Sequence, residues 1–165
     1  MKTAEVEQHR ESGEFTSSLV ISLPQSGDTL PTTNLSGGGT AFKRKIEEIW
    51  ESLIDVEVAK IGVYGMGGIG KTTALEHINN RILEKKDKFD NVIWVTVSKD
   101  SNLRNIQDKI AYKLDVDISK DEDKITRAAK LQEKFNTKKR YVLILDDLWE
   151  VHSLKEVGIP EPTVE

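Results

Sequence analysis

Cysteine is absent from the 165 residues. That excludes a disulfide-stapled scaffold, a thiolate zinc site and a cysteine nucleophile, and leaves an intracellular setting open. Aromatic residues make up only 6% of the chain and apolar residues 37%, so a packed core requires the apolar residues to be concentrated in one part of it. No apolar run approaches the roughly 20 residues of a membrane-spanning helix; the longest lie around Leu19 to Leu23, Val92 to Val97 and Tyr141 to Leu145, and no transmembrane segment is expected. The first 15 residues carry Glu5, Glu7, Glu11 and Glu14 where an export signal has basic residues followed by an apolar stretch. Excess positive charge is also missing: 24 Lys and Arg stand against 28 Asp and Glu, a formal net charge of −4. No nucleic-acid partner held by bulk electrostatics is expected.

The organised part of the chain begins near residue 41. Residues 1–40 hold 2 basic and 5 acidic side chains, many Ser and Thr, and the run Gly37, Gly38, Gly39. They read as a disordered arm and linker, because their apolar surface is too small to offset the entropy of ordering them. Leu19, Val20, Ile21 and Leu23 interrupt that pattern; a short strand or docking segment is one reading of them, and an interruption of no consequence is the one preferred. Residues 41–165 form one domain. Thr40 is a candidate cap for a helix over Phe42 to Asp55, with Ile46, Ile49, Trp50, Leu53 and Ile54 at helical spacing. Val58 to Tyr64 reads as a strand, and Lys71 to Lys85 as a helix with Leu75, Ile78 and Ile82 on one side. Asn91 to Val97 and Tyr141 to Leu145 are near-continuous apolar runs, as parallel strands covered on both faces require. Between them, Leu103, Ile106, Ile110 and Leu114 space one helix; Ile125, Ala128, Ala129, Gln132 and Phe135 space another. Strands alternating with helices predict an α/β fold, a parallel sheet with helices on both faces.

Gly65, Met66, Gly67, Gly68, Ile69, Gly70, Lys71 and Thr72 match a phosphate-binding loop between a predicted strand and a predicted helix. Glycines let successive backbone N–H groups turn toward a polyphosphate, the following helix points its positive end at the anion, and Lys71 reaches the outer phosphates. Thr72 supplies a hydroxyl to Mg2+. Gly65, Gly67 and Gly70 also satisfy a dinucleotide-binding spacing, but that reading needs an acidic residue closing the next strand, where Val97, Ser98 and Lys99 stand, and leaves Lys71 and Thr72 without a role. The second constellation is Val142 to Leu145 followed by Asp146 and Asp147. Carboxylates at a strand's carboxyl end lie where ligands of open α/β sheets bind; Asp146 is assigned to the metal and Asp147 to catalysis, orienting or deprotonating water. His9, His77 and His152 show no metal-ligand spacing, and no Asn-Lys-x-Asp segment suggests guanine.

The runs GMGGIGKTT at Gly65 to Thr73, FDNVIWVTVS at Phe89 to Ser98 and YVLILDDLWE at Tyr141 to Glu150, in that order, resemble the NB-ARC nucleotide-binding domain of plant NLR disease-resistance proteins. LPTTNL upstream, with Gly37 and Ala41-Phe42, is similar to the linker leading into that domain, and VGIP at Val157 to Pro160 is similar to the segment after the paired aspartates. The likeness runs from Leu30 to Pro160. A tryptophan shortly after the aspartates, here Trp149, marks the coiled-coil class. The resemblance implies a STAND-type P-loop NTPase fold in which Thr73 joins the loop, cytoplasmic ATP/ADP binding with at most slow hydrolysis, and a switch in the defence response whose partners include full-length NLR or other immune proteins. It also implies a sensor arginine, a Gly-Leu-Pro-Leu subdomain, a winged helix and leucine-rich repeats, none of which is in the sequence. The expectation is therefore a partial NB-ARC domain with impaired hydrolysis. Two alternatives stand beside it: a stand-alone P-loop ATPase of the partitioning class, which would place a lysine where Met66 stands, and a binding-only receptor fragment with a vestigial nucleotide site.

Overall fold

The computed structural model describes residues 27–32, 39–120 and 123–162. Two strands, β1 (Asn91–Thr96) and β2 (Tyr141–Asp146), pair in parallel with Asn91 opposite Tyr141 and Thr96 opposite Asp146. The crossover between them contains α3 (Leu103–Leu114) and α4 (Lys124–Asn136). Before β1 come α1 (Thr40–Ile54) and α2 (Lys71–Glu84); after β2 comes the short α5 (Leu154–Val157).

The period of two along each strand divides its apolar side chains between two cores. Ile93 and Val95, with Leu143 and Leu145, pack against Ile106, Ile110, Leu131 and Phe135 on the α3–α4 side. Val92 and Ile144 pack against Ile46, Trp50, Ile78 and Ile82 on the α1–α2 side. Covering both faces is what the near-continuous apolar runs require, and the parallel α/β architecture expected from the sequence is present.

Three local expectations are corrected. Val58 to Tyr64 is not a strand: it has no ladder and is largely exposed, Tyr64 at 95%. A strand is stabilised by its neighbour's backbone groups, and among the described residues the sheet contains only β1 and β2. Thr40 is not a cap but the first helical residue; Gly39 precedes it with no side-chain cap bond. On α4 the buried face is Arg127, Ala128, Leu131 and Phe135, while Ile125 is 72% exposed. Arg127 takes the inward place because α3 and the following loop offer it acceptors: Gln107 Oε1 at 3.0 Å, Ile118 O at 2.9 Å and the Asp108 carboxylate.

Of the predicted arm, residues 1–26 and 33–38, including Leu19 to Leu23, lie outside the described residues. Residues 27–32 lie against α2, where Leu30 N–H donates to Asn80 Oδ1 at 2.8 Å and Asn80 Nδ2 donates to Leu30 O at 2.7 Å.

Candidate functional site

Gly70 ends the glycine loop at φ +90° and forms the N-cap of α2. A Cβ there would meet Phe42 Cε2 at 3.1 Å, so both backbone angle and space favour glycine. Its carbonyl accepts the first helical bond, from Ala74 N–H at 2.9 Å. No side chain caps this helix and no acidic residue stands in its first turn. The leading N–H groups of α2 thus receive no side-chain cap.

Lys71 folds back over the loop. Its Nζ donates to Gly65 O at 2.8 Å and Met66 O at 2.9 Å, which holds the ammonium group above the glycines. Met66, Gly67, Gly68 and Ile69 are exposed, and Thr73 is half-buried in the first turn of α2.

The second motif reaches the first through strand parity. Asp146 continues the Val142 and Ile144 face of β2, the face that α2 covers. Thr72 Oγ1 accordingly lies 3.1 Å from Asp146 Oδ1 and 3.2 Å from Oδ2, with Asp146 only 8% exposed. A hydroxyl and a carboxylate from elements 74 residues apart converge at one point. Hard oxygen donors of this kind suit Mg2+, which takes one or two protein ligands and fills the rest of its shell with water and phosphate oxygens. Among the described residues no cluster of three or more His, Cys, Asp or Glu offers a fuller metal cage.

Asp147 does not join them. It leaves β2 at φ +58°, and its Oδ1 accepts a hydrogen bond from Trp149 Nε1 at 2.7 Å. Lys99 from the turn after β1 lies over the Trp149 ring, 5.5 Å from its centre. Trp149 is thus a partner of the second carboxylate, and a single indole two residues downstream gave no sequence signal for that bond. Trp50 packs in the core, with Arg81 over its ring at 4.3 Å and Phe89 edge-on at 6.5 Å. Asn79 and Asn80 also carried no signal, because their partners, Asp28 and Leu30, lie some 50 residues upstream.

A glycine loop, an uncapped helix with its lysine, and a Thr72–Asp146 pair have thus been brought together at the carboxyl edge of a parallel sheet. The chain also matches the family model described as the NB-ARC domain over residues 42–165. It belongs to the NB-ARC family. This is a nucleotide-binding domain. The chain is 47% identical over 116 residues to the probable disease resistance protein At5g43730 of Arabidopsis thaliana, an overlap covering 70% of this chain and 14% of that protein. It is 39% identical over 122 residues to disease resistance protein RFL1 of the same plant, covering 73% of this chain and 14% of that protein. The NB-ARC chain therefore spans about a seventh of the length of these curated relatives. No solved structure matches it. Among the described residues no helix is long and apolar enough to cross a membrane.

Proposed function

We propose that this NB-ARC chain is the ATP/ADP-binding switch module of a cytoplasmic plant disease-resistance protein of the coiled-coil NLR class, acting in the defence response. The observation that carries this reading is the meeting of Thr72 with Asp146 beside the uncapped start of α2, one residue from a lysine held over the glycine loop. The N–H groups of the loop through Thr73 would surround the phosphates, with Lys71 as their charged partner. Thr72 and Asp146 would hold Mg2+, which supplies positive charge to the phosphate oxygens. Asp147 is the candidate for orienting or deprotonating water, and its bond to Trp149 Nε1 must open before it can serve. That bond favours nucleotide binding with at most slow hydrolysis. The partners proposed are adenine nucleotide and full-length NLR or other immune proteins.

The test is calorimetric titration with ATP, with and without Mg2+, of the wild-type and Thr72→Val chains. The substitution keeps the side chain's shape and removes the hydroxyl. It should abolish most of the gain in affinity that Mg2+ confers and leave metal-free affinity unchanged; an equal Mg2+ gain in both chains would contradict the assignment.

A further inference from the structure

Where β2 ends, two neighbouring carboxylates part company. Asp146 is only 8% exposed, whereas Asp147 is exposed and turns at φ +58°, a left-handed angle that aspartate adopts more readily than most side chains. That angle breaks the alternation of the strand. The redirected carboxylate accepts from Trp149 Nε1 at 2.7 Å, and Trp149 is itself 63% exposed, so the ring is not held by a core.

What lies over the ring is Lys99, from the turn after β1. Its backbone is fixed at both ends: Val97 N–H donates to Asp146 O at 2.7 Å, and Ser101 N–H donates to Ser98 O at 2.9 Å, closing a turn in which Lys99 is the second residue. The Ser98 and Ser101 hydroxyls bond each other at 2.8 Å, and Ser101 is buried. Lys99 therefore rises from a closed turn tied to Asp146, the residue whose carboxylate meets Thr72, and its ammonium group lies 5.5 Å from the centre of the Trp149 ring. A cation over an indole face draws on the ring's electrons and makes its N–H a better donor, so the two contacts reinforce each other.

We propose that Lys99 and Trp149 are positioning residues that hold Asp147 in an idle orientation, so that bound nucleotide is hydrolysed only by the fraction of molecules in which the indole has swung away. The proposal rests on the reading of Asp147 as the group that orients or deprotonates water. An oxygen that already accepts from an indole N–H is not free to receive a hydrogen of water, and its partner oxygen is turned with it. Asp147 and Trp149 are exposed, so the latch opens without disturbing either core. Turnover then scales with the open fraction. Affinity does not, because the proposed nucleotide contacts, with the loop, Lys71, Thr72 and Asp146, are made by residues outside the latch.

Single-turnover hydrolysis of ATP with Mg2+, paired with calorimetric affinity, tests this on the full chain. Trp149→Phe keeps the ring under Lys99 and removes only the N–H; it should hydrolyse bound ATP roughly three- to tenfold faster, the range expected for losing an exposed hydrogen bond to a charged group, with affinity unchanged. Adding Asp147→Asn should cancel the gain. Lys99→Met should also speed hydrolysis and should move the Trp149 indole N–H signal, identified by its loss in Trp149→Phe, toward the position of free indole; Lys99→Arg, which keeps the cation, should restore the wild-type rate and signal. ATP binding with equal turnover in wild-type and Trp149→Phe chains would overturn the latch alone, as would a gain that survives Asp147→Asn. Failure of any chain to bind ATP would overturn the nucleotide reading and the latch with it.

Discussion

Gly158 shows how a single residue holds the end of the described chain in place. It sits at φ +89°, and a Cβ on it would come within 2.5 Å of Ala128 O and 2.8 Å of Ala128 Cα, backbone atoms of α4 that cannot give way. Gly158→Ala should therefore destabilise by more than about 1 kcal/mol, combining left-handed strain with overpacking, and urea unfolding should show it as a lowered midpoint. Arg127 is the other decisive residue. Its guanidinium is buried and satisfies Gln107 Oε1 and Ile118 O; each acceptor left unpaired costs about 1–3 kcal/mol. Arg127→Ala should lower stability by roughly 2 kcal/mol or more on that principle, measured the same way. Nothing in the local sequence distinguishes this arginine from the solvated cations around it, because its partners come from α3 and the loop after it. The phosphate-loop residues were legible for the opposite reason: their chemistry is encoded in adjacent positions.

At the scale of elements, the strands are secured where they begin. Arg140 Nη2 donates to Asp90 Oδ1 at 2.6 Å, and Asp90 N–H donates to Arg140 O at 2.7 Å, closing the entry to β1 and β2 together. The Arg140 hydrogen bond holds the Asp90 carboxyl below its ordinary value of 3.8. A depressed folded value means that the tie stabilises above the unfolded value and that its contribution is lost as pH falls through the folded one. Asp90→Asn should accordingly lower stability at neutral pH, and in acid unfolding curves the difference from wild type should begin to shrink near pH 3.8 and vanish only after pH has passed the lower folded value. Periodicity predicted β1, β2, α2 and α3 to within a residue or two, since each buries a complete apolar stripe. It misread Val58 to Tyr64, whose apolar content is strand-like but whose strand character depends on a neighbour that the local sequence cannot supply. It also turned α4 toward Ile125, because apolar spacing alone cannot anticipate a buried arginine with waiting acceptors.

For the molecule as a whole, the two cores on either side of a two-stranded sheet fix the spacing between the loop and the first aspartate. α2 is held by Ile78 and Ile82 against Val92 and Ile144, and this packing rather than any direct bond between strands brings Thr72 to Asp146. The pairing of the two motifs was legible from their residue types; the route by which they meet, through helix packing on one sheet face, was not. The central claim is that this arrangement grips the phosphates of an adenine nucleotide. Its most direct test is the affinity for ATP with Mg2+ present, measured by calorimetry for the wild-type and Lys71→Ala chains. Loss of charge-assisted contacts worth about 1.5–3 kcal/mol each predicts binding at least tenfold weaker in the variant, with the urea midpoint unchanged because the loop is exposed. Equal affinity in the two chains would contradict the account.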